Sequence, residues 1–241
     1  MYVDILTYNI HGLPWARDYT EGIASFLMEK LPSVICLQEA FLDRTRNFYK
    51  ELLELLGYQV CIPRDGNVTL LPSGLLTAFK RSEFSFISDC FCPYQDTHNV
   101  EWFANKGFHS LRLIHRPTRK LIYIVNTHTQ SDTEVSWFFG RAVTARIRAK
   151  QAEQIYNYFR DTKNQVLIVG DLNCETEPFH GLRFLHPPGS IPLKKSTFYS
   201  TGEDLDHLAC LTDRAEPRVL RCRIYDRPWS DHAPVSFLVD L

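Results

Sequence analysis

Asn9, the pair Gln38-Glu39, the triplet Asp171-Leu172-Asn173 and the run Ser230-Asp231-His232 each stand against an apolar stretch. Residues 3–8, 34–37 and 166–170 lead into the first three, and residues 233–239 follow the fourth. Carboxylates, neutral amides and an imidazole placed this way suit a site that holds a hard divalent cation and hydrolyses a phosphate ester, because magnesium prefers oxygen ligands and keeps part of its water. Glu39 is the principal metal-ligand candidate, since a carboxylate just past an apolar run has no packing role there. Asn9 offers either an amide oxygen to the cation or an amide donor to a phosphate. Asp231 is a further carboxylate for the metal, and Asp231-His232 is the natural acid–base element: an imidazole near its ordinary pKa takes a proton from attacking water once a carboxylate fixes its tautomer. Asp206 is the candidate for that carboxylate, and strand alternation puts it on one face with Asp204, opposite Leu205. The same alternation aims Asp171 and Asn173 into one cleft, with Leu172 turned into packing. His128, which ends another apolar run, is placed to donate to a nonbridging phosphate oxygen.

These groups are far apart in the chain, so a set of strands must carry them to one rim. Residues 3–9, 34–39, 73–80, 108–115, 120–128, 165–171, 204–211 and 233–239 are short, rich in Val, Ile, Leu, Phe and Tyr, and bounded by turn or charged residues, which predicts strands. Residues 20–31, 45–56 and 141–160 carry helical spacing, with Gly57 as a stop signal for the second. The turn residues 116–119 predict a hairpin that sets 108–115 antiparallel to 120–128. The mixture favours helices on the outer faces of two packed, mainly antiparallel sheets over a doubly wound sheet, which needs more regular strand–helix alternation.

At 241 residues and 44% hydrophobic content the chain suits one domain over residues 1–241 with a substantial core. A formal net charge of -1 gives no global pull toward nucleic acid or anionic membranes. No stretch approaches the roughly 18 apolar residues of a membrane span, and no leader pattern precedes the first strand. The seven cysteines lack a zinc-like CxxC pair, which predicts reduced thiols and a cytoplasmic location.

The motifs Asn9, Gln38-Glu39, Asn126-Thr127-His128, Gly170-Asp171-Leu172-Asn173, Leu205-Asp206-His207 and Ser230-Asp231-His232 occur in the order of the endonuclease/exonuclease/phosphatase superfamily, which the chain resembles over nearly its whole length. The resemblance implies a DNase I-like four-layer α/β/β/α sandwich with a magnesium-dependent site, Mn2+ being a substitute. It implies Glu39 as the magnesium carboxylate with Asn9 beside it, Asp171 as the residue that orients or activates water, Asn173 as a transition-state donor, and His232 with Asp206 as the coupled acid–base pair. Which of Asp171 and His232 removes the proton is open at this stage.

Within that superfamily the segments around Asn9, Gln38-Glu39, Pro72-Ser73-Gly74-Leu75-Leu76, Asn105-Lys106-Gly107-Phe108, Arg148 and Gln151 are most similar to the neutral and bacterial sphingomyelinases. That likeness implies a phospholipid head-group phosphodiesterase, with Lys106 near the substrate phosphate. Trp137, Phe138 and Phe139 are placed either to touch a bilayer or to staple two layers. Asp43 is either a secondary metal ligand or a helix N-terminal carboxylate. The runner-up is a DNA-processing nuclease, for which Arg116, Arg119, Lys120, Lys194 and Lys195 make a thin basic track. A catalytically dead sandwich that binds lipid or protein is the third reading. Nothing in the sequence sets the oligomeric state.

Overall fold

The computed structural model describes residues 1–64, 69–98, 103–132, 140–175, 181–186, 196–227 and 229–241. Two six-stranded sheets run in the orders β11-β12-β1-β2-β4-β3 and β5-β6-β7-β8-β10-β9. The first holds β1 (Tyr2–Asn9), β2 (Val34–Gln38), β3 (Tyr58–Cys61), β4 (Leu76–Lys80), β11 (Arg218–Ile224) and β12 (Val235–Asp240). The second holds β5 (Phe84–Pro93), β6 (Gly107–His115), β7 (Lys120–His128), β8 (Gln165–Asp171), β9 (Leu182–Phe184) and β10 (Asp206–Leu211). Helices α1 (Thr20–Lys30) and α2 (Asp43–Leu55) cover one sheet, and α3 (Arg141–Phe159) covers the other.

Three apolar layers show why this sequence stacks as helix, sheet, sheet, helix. Val3, Ile5, Val34 and Cys36 meet Leu111, Leu113, Ile122, Leu167 and Val169 between the sheets. The alternate residues of the same strands, Leu6, Tyr8, Ile35 and Leu37, face Ile23, Phe26, Leu27 and Leu53 of α1 and α2. Val125, Val166 and Ile168 pack against Ala152, Ile155 and Phe159 of α3. The central strands are therefore apolar on both faces, as strands covered on both sides must be.

Each sheet has one parallel pair, β1 with β2 and β7 with β8, and is otherwise antiparallel. The expected hairpin is present, with His115 opposite Lys120 and Phe108 opposite Thr127. The four strands not anticipated are β3, β5, β9 and β11. Two are only four and three residues long. The other two are sheet edges interrupted by register shifts, between Phe86 and Ser88 and between Val219 and Arg221, so their alternation is broken and one face is wet. Expected strands also begin or end elsewhere: β2 stops before Glu39, β4 starts three residues after Ser73, β10 starts at Asp206 rather than at Asp204, and β12 starts at Val235 rather than at Ala233.

Asp43 opens α2, where its carboxylate pairs with Arg46 and its side chain is largely exposed. It is a helix N-terminal acid. Trp137, Phe138, Phe139, Lys194 and Lys195 lie outside the described residues. No helix among the described residues is long and apolar enough to cross a membrane.

Candidate active site

Parallel pairing places the C-terminal ends of β1 and β2 together, with Asn9 opposite Gln38, and those of β7 and β8 together, with His128 opposite Asp171. The antiparallel neighbour β10 starts at the same level, with Asp206 opposite Asp171. Gly170 makes the close approach of β7 and β8 feasible: a Cβ there would sit 1.9 Å from the carbonyl oxygen of Thr127, and φ is +151°. Beneath this rim the two sheets are joined by side chains. Gln38 Nε2 donates to Asn126 Oδ1 at 2.8 Å, and Asn126 Nδ2 donates to the carbonyl oxygens of Leu37 and Leu76, each at 3.1 Å.

Above that staple, Asn9 bridges two carboxylates from opposite sheets. Its Nδ2 donates to Glu39 Oε1 and to Asp171 Oδ2, both at 3.0 Å, while its Oδ1 accepts the N–H of His11. Of the two options open for Asn9, the amide nitrogen is the atom that faces the acids. Ser230 Oγ donates to the carbonyl oxygen of Asn9 at 2.7 Å, which brings the Ser230-Asp231-His232 segment onto the same rim.

His232 Nδ1 lies 2.8 Å from Asp206 Oδ2, and its Nε2 lies 3.5 Å from Asp171 Oδ2. Burial opposes a charged imidazole, but the Asp206 and Asp171 carboxylates outweigh it and raise the His232 pKa to about 10. Burial likewise pushes the Asp206 carboxyl up, against the pull of His232. Two buried carboxylates thus favour the charged imidazole of His232, above the ordinary value expected for it. Asp171 is buried, yet His232, His128 and the Asn9 amide hold its carboxyl below the usual range.

Two local expectations also change. Asn173 does not continue the alternation of β8. Its backbone is left-handed at φ 50°, its N–H donates to Asp171 Oδ1 at 3.0 Å, and its Nδ2 donates to the Thr129 carbonyl oxygen. Asp204 precedes β10 and so does not share a strand face with Asp206; the backbone N–H groups of Leu205 and Asp206 are held by Thr197 Oγ1. At Asn173 the cause is local, since the Asp171 carboxylate offers the backbone a turn where β8 ends.

Lys106 is buried beside His128. Its Nζ donates to the Thr129 carbonyl oxygen at 2.7 Å and to His128 Nε2 at 3.1 Å. The same Nε2 lies 3.5 Å from Asp171 Oδ2, so it stands between the ammonium and the carboxylate. Burial and the adjacent ammonium push the His128 pKa down to about 3.

Glu39 is the group that fits a cation. It follows β2 with φ 58°, its Oε1 accepts from Asn9, and its Oε2 is a buried atom with no hydrogen-bond partner. Burial pushes its carboxyl up, so a positive ion supplied there relieves an uncompensated acid. Asp231 Oδ2 lies nearby across His11, whose Nδ1 is 3.0 Å from Asp231 and 3.9 Å from Glu39 Oε2. A second set of candidate metal-binding atoms, on Asp171, Asp206 and His232, lies within 4.8 Å of one another. His232 and Asp206 are already hydrogen-bonded to each other there, which favours proton handling over ligation.

His11 was not singled out by sequence reasoning, although it stands two residues from Asn9. Its left-handed φ of 48° is shared, within about ten degrees, by Glu39 and Asn173, and a run of such residues around one cleft is the kind of strain that accompanies function. Phe198 also went unnoticed; its ring lies 4.8 Å from that of His232. A cavity of about 850 Å³ lined by Arg17, Tyr19, Arg44, Phe48 and Trp229 opens beside the cleft but contains none of these groups.

Residues 6–232 match the Endonuclease/Exonuclease/phosphatase family, to which this chain belongs. Among solved structures it is similar to sphingomyelinase C from Streptomyces griseocarneus, with a TM-score of 0.77, 20% identity and 100% of each chain covered. It is also similar to Staphylococcus aureus beta toxin with bound magnesium ions (TM-score 0.76, 16% identity, 98% of this chain and 99% of that one). A third is D. rerio TDP2 complexed with single-strand DNA product (TM-score 0.76, 13% identity, 100% of this chain and 99% of that one). No curated protein matches in sequence. These likenesses agree with the DNase I-like sandwich.

Proposed function

We propose that this protein is a magnesium-dependent phosphodiesterase of the sphingomyelinase type, releasing a phospholipid head group by in-line attack of water on phosphorus. The observation that carries the reading is the cleft in which Asn9 ties Glu39 to Asp171 while the Asp206–His232 pair faces Asp171 from the other side. Glu39, with Asp231, would hold the divalent cation, whose charge offsets that of the phosphoryl oxygens. Asp171, kept ionised, orients the attacking water and takes its proton as the new oxygen–phosphorus bond forms. His232, kept protonated, gives its Nε2 proton to the leaving oxygen as the phosphorus–oxygen bond breaks, and Asp206 stabilises the imidazolium until then. Lys106 brings a positive charge to the anionic diester, and Asn173 donates at the transition state.

Two placements favour lipid over nucleic acid. Arg116, Arg119 and Lys120 sit at the β6–β7 turn, the opposite end of β7 from His128, so they cannot line a track at the cleft. The loops at the catalytic rim carry exposed apolar side chains instead: Trp15 after β1, Leu70 before β4 and Phe103 before β6 are 77%, 83% and 47% exposed. Backbone bonds between Leu71 and Phe103 and between Asn105 and Leu71 fix the last two loops side by side. The seven cysteines are free thiols, which supports a reducing, cytoplasmic setting; activity recovered from the medium and not from the cells would overturn that placement.

The nuclease reading rests on the similarity to a TDP2 structure that contains a DNA product. The deciding experiment measures magnesium-dependent phosphocholine release from sphingomyelin vesicles against cleavage of single-stranded and abasic duplex DNA, with His232→Ala alongside. Lipid turnover that vanishes in the variant is the expected result. Cleavage of DNA alone moves the substrate to nucleic acid, and turnover of neither leaves a phosphoesterase of another substrate or an inactive binder.

A further inference from the structure

Beyond the catalytic cleft, the outer face of β5 carries a pair of sulfur atoms. Cys90 and Cys92 alternate onto one side of that strand, with their Sγ atoms 3.9 Å apart. β5 is the edge of its sheet and pairs only with β6, so Cys90 is exposed and Cys92 half-buried. Ser110 and Phe108 stand opposite them, and the Tyr158 hydroxyl of α3 is within hydrogen-bonding reach of both sulfurs.

The spacing discriminates between the two things such a pair does. Two thiolates at about 2.3 Å from a tetrahedral cation are roughly 3.8 Å apart, close to what is found here. A disulfide needs sulfur atoms at about 2.05 Å, and two residues along an extended strand have Cα atoms roughly 6.6–6.8 Å apart, at the far limit for a bridge. The sulfur separation therefore matches chelation more closely than it matches a disulfide. We propose that Cys90 and Cys92 form a binding site for a thiophilic divalent d10 cation such as Zn2+ or Cd2+, with water or the Tyr158 hydroxyl completing the shell.

The site is separate in chemistry from the oxygen-lined cleft, since thiolate donors select softer ions than carboxylates do. Binding converts the two thiols to thiolates and releases two protons to solvent. Burial and the neighbouring Cys90 push the Cys92 thiol up to about 12, so uptake strengthens as pH rises. Two residues beyond Cys92, the Tyr94 N–H donates to the Lys106 carbonyl oxygen at 2.9 Å, and its hydroxyl is hydrogen-bonded to Thr127 Oγ1. The sulfur pair is thus fastened to the segment that carries Lys106.

The test is a Cd2+ titration of the full chain with Mg2+ in excess, followed by thiolate-to-metal charge-transfer absorption and by native mass. One Cd2+ per chain is expected, lost in Cys90→Ser and in Cys92→Ser and retained in Cys222→Ser, with circular dichroism unchanged. In the unmodified chain, Cd2+ is expected to protect Cys90 and Cys92, and not Cys222, from alkylation by iodoacetamide. No charge-transfer band in the intact protein, equal uptake by the serine variants, or no selective protection overturns the proposal.

Discussion

His232 holds a proton because two buried carboxylates outweigh its desolvation, and this sets the sign of its pH behaviour. As a general acid it loses function when deprotonated, so kcat should fall on an alkaline limb. In Asp206→Asn burial has less to oppose it, and the limb should move to lower pH. An acidic limb that moves instead would return His232 to the role of base. The same shift bears on stability: the folded-state pKa of about 10 lies above the unfolded value of about 6.5, so the contribution is complete below about pH 6.5 and is lost as pH rises through about 10. Glu39 has the opposite character, a buried acid whose charged form is penalised until a cation arrives. Glu39→Gln should abolish magnesium-supported turnover, by roughly 100-fold or more, while stabilising the cation-free protein by roughly 0.5–2 kcal/mol in urea unfolding at neutral pH. A destabilised variant would show that Oε2 has a structural partner rather than a vacant coordination position. The acids, amides and imidazoles were legible in sequence because polar residues that end apolar runs have few structural duties. Their pairing was not: Asn9 and Asp171 are 162 positions apart, and no spacing rule joins them.

Among the elements, the strands that carry the cleft are central and apolar on both faces, which is why their runs stood out. The edge strands β5 and β11 escaped notice because bulges shift their period and solvent takes one face. Turn chemistry hid the rest, since left-handed backbone at Glu39 and Asn173 is a property of the folded rim. The polar staple below that rim makes a measurable claim. Asn126→Ala removes one acceptor of the Gln38 amide and the side-chain donor to the carbonyl oxygens of Leu37 and Leu76, and should lower stability by about 2–4 kcal/mol. An unchanged Tm would show that the sheets are joined by apolar packing alone. Gly170→Ala should fail more severely, because the added methyl meets the Thr127 carbonyl on a strand that has no room to move; soluble protein with normal activity would refute the close approach.

For the molecule as a whole, the rim loops expose Trp15, Leu70 and Phe103 while Arg116, Arg119 and Lys120 lie at the far turn, an arrangement that supports the proposed lipid substrate. The triple variant Trp15→Ala, Leu70→Ser, Phe103→Ala should bind sphingomyelin vesicles at least tenfold more weakly while keeping turnover of a water-soluble phosphodiester. Equal losses on both substrates would mean that these loops shape the cleft instead. The arrangement of strands has a consequence for the order in which the chain becomes competent. β12 lies between β1 and β11, so β1, early in the chain, waits for a strand late in it before its edge is covered. Ser230-Asp231-His232 immediately precedes that closing strand. During synthesis, the half of the cleft built on β1 and β2 therefore stands open and without His232, and the proposed catalytic set is complete only as β12 docks.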